Sequence, residues 1–435
     1  MFKSYIKIAW RNAFKNKLYS AINLAGLVIG IASFLLVLFF IQYENGFDRF
    51  HANTVYRLAE IKHAKDDVPQ KIARTMFPMG PTLQSDFSEI EDYARIISME
   101  RVPLRRPGHP TIMATACGSD ASFFRVFNFK LIQGNPETVL VEPNSIVLTQ
   151  RLAVRLFGSD DAVGQMIQHQ GRDTILYIVT GVMEDIPSQS HLRFEAIHSL
   201  DPSLVAEESN NWDNEWMSTY VRLREGADAG GLETHFPAYL QRHMGPEKAK
   251  NYQLLLQPMW DIHLWSSSFS QDLLNKQKFN GHYLHLLGFV SFLVLALAVI
   301  NYVNLTTAQT INRAREIAVR KTTGAGRTDV VFQFLLETLL FTLIAFVLAL
   351  TLIGLLITRI NAFSGREMPF DLWRDPLWFL AGGGIALGAG VLSALPVARS
   401  LVDVQPVRIL KGNFWKNVRS PFGNAMVVLQ FTIAI

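Results

Sequence analysis

The chain has 435 residues, 49% of them hydrophobic and 11% aromatic, and only 18% charged. That charged share lies below the roughly 25% of soluble domains, and with a mean hydropathy of +0.17 it argues for a membrane protein carrying a substantial soluble part. The net charge of +4 is small and its cations are clustered along the chain, which speaks against nucleic-acid binding. A single cysteine, Cys117, excludes an internal disulfide or a Cys-based metal site and reads as a small apolar filler.

In chain order, Lys3, Lys7, Arg11 and Lys15 recur every four residues, with Phe2, Ile6, Trp10 and Phe14 beside them. This pattern predicts an amphipathic cytoplasmic helix over residues 1–20, lying on the bilayer surface. Residues 21–41 form the first membrane span, uncut by charge and without a small-residue cleavage site behind it, so a retained anchor is expected. The cations before it hold the N-terminus in the cytoplasm. Gly26 and Gly30 stand at the spacing that lets helices approach closely in lipid.

Residues 42–283, placed outside by the cations flanking the spans, have the composition of a folded soluble module, longer than a typical domain of about 100–150 residues. Strand-like runs over 145–148 and 175–182, and a helix-like run over 149–157 closed by Gly158, predict a mixed α+β domain in two lobes. No Gly-x-Ser-x-Gly, His-Glu-x-x-His or paired-Cys motif occurs, and no P-loop occurs anywhere in the chain. His191 and His198 near Glu184 and Asp185 read as core or surface histidines rather than metal ligands, and His282 and His285 as interfacial packing. No catalytic residue, metal or cofactor is expected.

The second span covers 284–308 and carries Asn301, Asn304, Thr306 and Thr307, polar groups expected to bond across helices. A cytoplasmic coupling segment, 309–330, follows. Its stretch Arg313-Ala314-Arg315-Glu316-Ile317-Ala318-Val319-Arg320-Lys321 carries four cations among five charges and lies between apolar runs, which places it in the cytoplasm. Glu316 and Arg320 stand at i, i+4 beside an apolar strip of Ala314, Ile317 and Ala318, and Gly324 is a stop signal. Two readings fit: a short amphipathic helix parallel to the membrane that docks a soluble partner, or an orientation signal that is merely helical. The spans carry no Asp or Arg at mid-membrane; Glu337 in the third span, 331–357, is the exception and sits near its cytoplasmic end, so no polar tunnel is evident. The fourth, 377–397, contains Gly384 and Gly388 at packing spacing, with Trp373 and Trp378 at its outer edge. A basic cytoplasmic linker, 398–424, leads to an apolar run at 425–435 that reads as the start of a fifth span, so a longer native protein is expected.

These motifs together resemble a known family. Asn301-Tyr302-Val303-Asn304-Leu305-Thr306-Thr307-Ala308 running into Arg315–Lys321 and Gly324-Ala325 is similar to the permeases of MacB and FtsX type. So are Tyr43-Glu44 with Phe47-Asp48-Arg49-Phe50-His51, Val55-Tyr56-Arg57, Gly181–Pro187, and Gln405-Pro406-Val407-Arg408-Ile409-Leu410-Lys411-Gly412. The resemblance implies the N-terminal half of a duplicated eight-span permease, with a MacB-type periplasmic core domain on an FtsX-like membrane domain, in the bacterial inner membrane. It implies a mechanotransmitting ABC transporter in which a cytoplasmic ATPase subunit grips Arg313, Arg315, Glu316, Ile317, Val319, Arg320, Lys321 and Gly324. It further implies a second permease copy and a periplasmic adaptor or outer-membrane partner, with substrate exported or released outside. The rival job on the same fold is an FtsX-like regulator of a cell-wall enzyme, or a lipoprotein-releasing permease.

Overall fold

The computed structural model describes residues 17–63, 68–97, 100–171, 174–272, 274–322, 326–371, 376–402 and 421–434. The expected surface helix before Lys17, Gly324, Trp373, most of the 398–424 linker and the 405–412 motif therefore lie outside the described residues. The chain divides into two compact units, one of residues 1–42 with 282–435 and one of residues 43–281.

The first helix, α1 (Lys17–Asn45), is 29 residues long and apolar through most of its length. At 1.5 Å per residue it rises about 44 Å, more than the roughly 30 Å of a bilayer core.

The inserted unit opens with β1 (Val55–Lys62), β2 (Gln70–Ile72), β3 (Thr75–Met76) and α2 (Met79–Asp86), followed by β4 (Ile90–Ile96), β5 (Glu100–Arg105) and β6 (Ile112–Ser119). Next come α3 (Phe123–Val126), β7 (Leu131–Gln133), β8 (Ser145–Thr149), α4 (Gln150–Phe157), β9 (Met166–Gln170), β10 (Thr174–Met183) and β11 (Ala196–Ser199). It ends with α5 (Pro202–Glu208), β12 (Glu215–Leu223), α6 (Ala229–Glu233), α7 (Phe236–Met244), α8 (Pro246–Ala249), β13 (Tyr252–Pro258), α9 (Ile262–Trp265) and β14 (Phe269–Ser270).

Two lobes result. In one, strands β11-β8-β10-β9-β5-β6 close on themselves, because β11 pairs in parallel with β6 as well as antiparallel with β8. Closure removes the free edges of those strands, and the ring holds Leu104, Ala114, Ile146, Leu148, Ile167 and Val179 against Leu152 and Leu156 of α4. Helix α4 is built as its sequence suggests: the Thr149 hydroxyl accepts the Leu152 N–H, and Gly158 ends it at φ +81°. In the other lobe β4-β12-β1-β2-β14 lie side by side and α2 and α7 cover one face, burying Leu58, Met79, Leu83, Val221, Phe236 and Tyr239. A third, aromatic core contains Phe123, Phe124, Phe127, Phe129, Phe194 and Tyr220 together with Cys117, Met259 and Ile262. Cys117 is buried there and burial pushes its thiol pKa up, in keeping with a filler.

The membrane unit holds α10 (Gly281–Thr322), α11 (Arg327–Ser364), α12 (Pro376–Val402) and α13 (Pro421–Ala434) besides α1. Four of these helices are long and apolar enough to cross a bilayer. Leu27, Ile31 and Leu35 of α1 pack with Leu295 and Tyr302 of α10 and with Ala345, Ala349 and Ile353 of α11. Phe289, Phe292, Val347, Leu355 and Leu380 remain exposed, an apolar surface suited to lipid. One expectation is corrected. The coupling segment up to Thr322 is no separate helix but the continuation of α10, unbroken over 42 residues. The reason is local: no Gly or Pro occurs between Gly288 and Gly324, so nothing stops the backbone where hydrophobicity stops.

Candidate functional site

The basic segment rides on the last turns of α10. Its helical backbone sets positions 316 and 320 about one turn apart. Val319 is 57% exposed, and the Thr322 hydroxyl donates to the Val319 carbonyl at 2.7 Å. The side chains of Arg313, Arg315, Glu316, Ile317, Arg320 and Lys321 lie outside the described residues, as does Gly324. Beyond it α11 starts cleanly, with the Asp329 carboxylate accepting the Gly326 N–H at 2.9 Å.

Among the packing residues expected from the sequence, the first span's glycines face α10. A Cβ at Gly30 would overlap the Ala298 methyl, and one at Gly26 would sit 3.6 Å from Asn301 Nδ2. Asn304 Nδ2 donates to Gln430 Oε1 of α13 at 3.1 Å, a bond across helices. Thr307 donates to Val303 O of its own helix at 2.7 Å. Gly384 and Gly388 meet nothing within 4 Å among the described residues. The close approaches of α12 fall at Gly382, where a Cβ would lie 3.0 Å from Leu35, and at Gly390, 2.6 Å from the Thr342 hydroxyl. These close approaches lie on a different face of α12 from Gly384 and Gly388, because many small residues crowd residues 382–390 and only packing chooses among them.

A dense buried polar network lies at the start of the inserted unit, around the last residues of α1. Asp48 has φ +58°, a left-handed conformation that Asp tolerates better than most side chains. Its N–H donates to Gln189 O at 2.8 Å, and its carboxylate accepts from Ser190 Oγ at 3.2 Å and from the His191 N–H at 3.1 Å. His191 Nδ1 lies 2.9 Å from Asp48 Oδ2, close enough for an ion pair though bent away from hydrogen-bond geometry. His191 Nε2 bonds the Tyr220 hydroxyl at 2.8 Å. Tyr220 stands opposite Arg57 across the β1–β12 ladder, and Arg57 donates to Asp272 Oδ1 at 2.8 Å, to Gln257 Oε1 at 2.6 Å and to Ser266 Oγ at 2.9 Å. One turn earlier, Glu44 Oε2 meets His263 Nε2 at 2.7 Å, and the Phe47 ring stacks on the His263 ring at 3.5 Å. All four acid and imidazole side chains of these pairs are 0% exposed.

His51 completes the group. Its Nδ1 accepts the Asn128 N–H at 3.1 Å, which leaves the proton on Nε2, and its ring packs edge-on against Phe127 and Phe129. Burial lowers its pKa to about 4, against a smaller upward pull from Asp48. The sequence marks Glu44, Asp48, His51 and Arg57 as motif residues without assigning them a role; two acids one turn apart at the close of an apolar helix were the available signal. His191, weighed from the sequence as a metal ligand, is committed to Asp48 and Tyr220. His198 is held by the Ser199 carbonyl at 2.9 Å, and burial lowers its pKa. Beside this region an open cavity of about 780 Å³ is lined by Phe50, Phe127, Phe129, Arg125, Lys130 and Glu184.

Apolar helices bracketing a large two-lobed inserted unit define a polytopic membrane protein with a substantial folded domain. A MacB-like periplasmic core domain matches residues 20–238, and an FtsX-like permease C-terminal domain matches residues 288–406. The chain is 24% identical over 425 residues to the macrolide export ATP-binding/permease protein MacB 1 of Yersinia pestis bv. Antiqua, covering 94% of this chain and 60% of the relative. Among solved structures it is similar to a domain of a proposed permease from Porphyromonas gingivalis, with 19% identity and a TM-score of 0.42, over 51% of this chain and 95% of that one. It is also similar to the periplasmic region of MacB from Actinobacillus actinomycetemcomitans, with 18% identity and a TM-score of 0.34, over 48% of this chain and 90% of that one. The chain thus belongs to the MacB/FtsX-like family of ABC transporter permeases, and spans 60% of the length of the MacB relative it matches.

Proposed function

We propose that this chain is the permease part of a mechanotransmitting ABC transporter. In this reading the basic end of α10 and the termini face the cytoplasm and the inserted unit faces outward, as the clustering of Lys and Arg favours. An ATP-binding subunit docks on residues 313–321; its closure on ATP displaces α10, and the stroke reaches the outer unit, where substrate is expelled or released. Export is the activity that the name of the Yersinia relative carries, and the name joins it to ATP binding. None of these 435 residues forms a P-loop, so in this reading the hydrolytic work is done outside them, by another chain or region. A second permease copy, and an adaptor on the outer side, complete the proposed assembly.

The observation that carries this reading is the unbroken helix α10. Its 42 residues rise about 63 Å, roughly twice a bilayer core, so one rigid rod bears both the span and the docking segment. A rod of this kind passes displacement along its axis without a polar path for substrate between the spans. The test is the double substitution Glu316→Lys with Arg320→Glu, which reverses the charge pattern at the docking segment. We expect membrane insertion to persist and the ATPase activity of the co-purifying ATP-binding subunit in vesicles to lose its dependence on the permease. ATPase stimulation equal to that of the wild type would discard the reading.

A further inference from the structure

Two segments that flank the membrane helices converge on one short element of the inserted unit. The end of α1 reaches it through Glu44, whose carboxylate meets His263 on α9, and through Phe47, whose ring lies on His263. The segment leading into α10 reaches it from the other side. Phe279 N donates to the His263 carbonyl at 2.9 Å, Asn275 Nδ2 donates to the Ile262 carbonyl at 2.8 Å, and Gly281 lies against the Trp265 ring. A second buried line joins the same two segments through the sheet: Asp48 meets His191, His191 bonds Tyr220, Tyr220 stands across the β1–β12 ladder from Arg57, and Arg57 pairs with Asp272. A Cβ at Gly46 would run into the Gln189 amide, so the loop over 188–191 closes on the chain immediately after α1.

Burying polar or charged pairs is a poor way to gain stability, since desolvation offsets most of the attraction and apolar substitutes of equal size often do as well. What such pairs do well is fix a geometry, because either partner left alone in a dry interior is costly. Asp48 is held in addition at a backbone angle that few residues adopt, which occurs where surrounding contacts over-determine a position.

We propose that Glu44 and Asp48 are the positioning residues of force transmission: through His263 and His191 they clasp the end of α1 to the segment that enters α10, so that displacement of either helix is delivered to both lobes together. This rests on the transporter reading above and adds the residues through which the stroke enters the outer unit. His263 is the hub, since its ring takes α1 and its carbonyl takes the strand of chain before α10.

The experiment uses the full chain with its co-purifying ATP-binding subunit in lipid nanodiscs, with hydrogen exchange measured with and without ATP plus vanadate. In the wild type, peptides from 309–322 and outer-unit peptides covering 188–199 and 215–223 should both change on nucleotide binding. In Glu44→Gln and in Asp48→Asn, which keep shape and remove charge, the 309–322 response should persist while the outer-unit response falls at least about fivefold. The exchanged pair Glu44→His with His263→Glu should restore it, which a general loss of folding would not. An outer-unit response of wild-type size in both single variants overturns the proposal. So does a folded exchanged-pair variant that stays as unresponsive as Glu44→Gln, and this arm decides the matter if the single variants fail to fold. A wild type with no response at 309–322 sinks the transporter reading itself, a result separate from loss of the outer response alone.

Discussion

The inserted unit and the membrane unit solve the same packing problem with different means. In the inserted unit ionisable groups are paired inside the fold: Arg57 with Asp272, Arg95 with Asp120, His191 with Asp48, His263 with Glu44. In the membrane unit the contacts are small residues against side chains, such as Gly30 on Ala298 and Gly390 on Thr342. Its hydroxyls largely bond within their own helices, Thr342 to Thr338 O at 2.9 Å and Ser393 to Ala389 O at 2.7 Å. The difference follows from the solvent. Water drives apolar burial and leaves a dry interior where a few polar pairs can set geometry. Lipid offers no such drive between helices, so close backbone approach does the work.

The largest effect that would probe this contrast is Asp272→Ala, which strands the Arg57 guanidinium in the interior. Breaking a buried pair from one side costs about 3–5 kcal/mol, so denaturant unfolding followed by the fluorescence of the inserted unit should shift by that order. A loss near that of an exposed pair would mean that Gln257 and Ser266 alone satisfy Arg57. Next comes pH. His51 is held neutral with a pKa of about 4 against an ordinary histidine value of 6.5, so the unfolded chain binds more protons between those values. Its contribution, about 3 kcal/mol at most, is therefore complete above pH 6.5 and is lost as pH falls towards 4. A pH titration of unfolding midpoints should show that slope, and His51→Gln should flatten it. The smallest effects sharpen the membrane side. Gly30→Val should cost about 1–3 kcal/mol by overpacking against Ala298, while Gly384→Ala should stay within about 0.5 kcal/mol. Thermal unfolding in micelles measures both, and equal losses would show that the open face at Gly384 is covered after all.

Much of the inserted unit's local structure was legible because local signals there are strong. The helix-like run over 149–157 with its Gly158 stop predicts α4 to within a residue, and the β-branched run at 175–182 predicts β10. The closure of six strands through β6 and β11 was not legible, since strands far apart in the chain pair without any local mark. The clasp was only half visible. Glu44 and Asp48 stand out as acids after an apolar helix, but their partners lie 219 and 143 residues away, at separations that no periodicity reports.

By itself the amino-acid sequence determined which segments are apolar enough to span and where cations gather. It also carried the family, because hydropathy, charge and motif spacing are properties of composition along the chain. Tertiary structure alone decided that Gly382 and Gly390 rather than Gly384 and Gly388 take the close contacts. It also decided that Glu44 and Asp48 end on histidines. Those outcomes depend on which surfaces meet, and a surface acquires a partner only when distant parts of the chain are brought together.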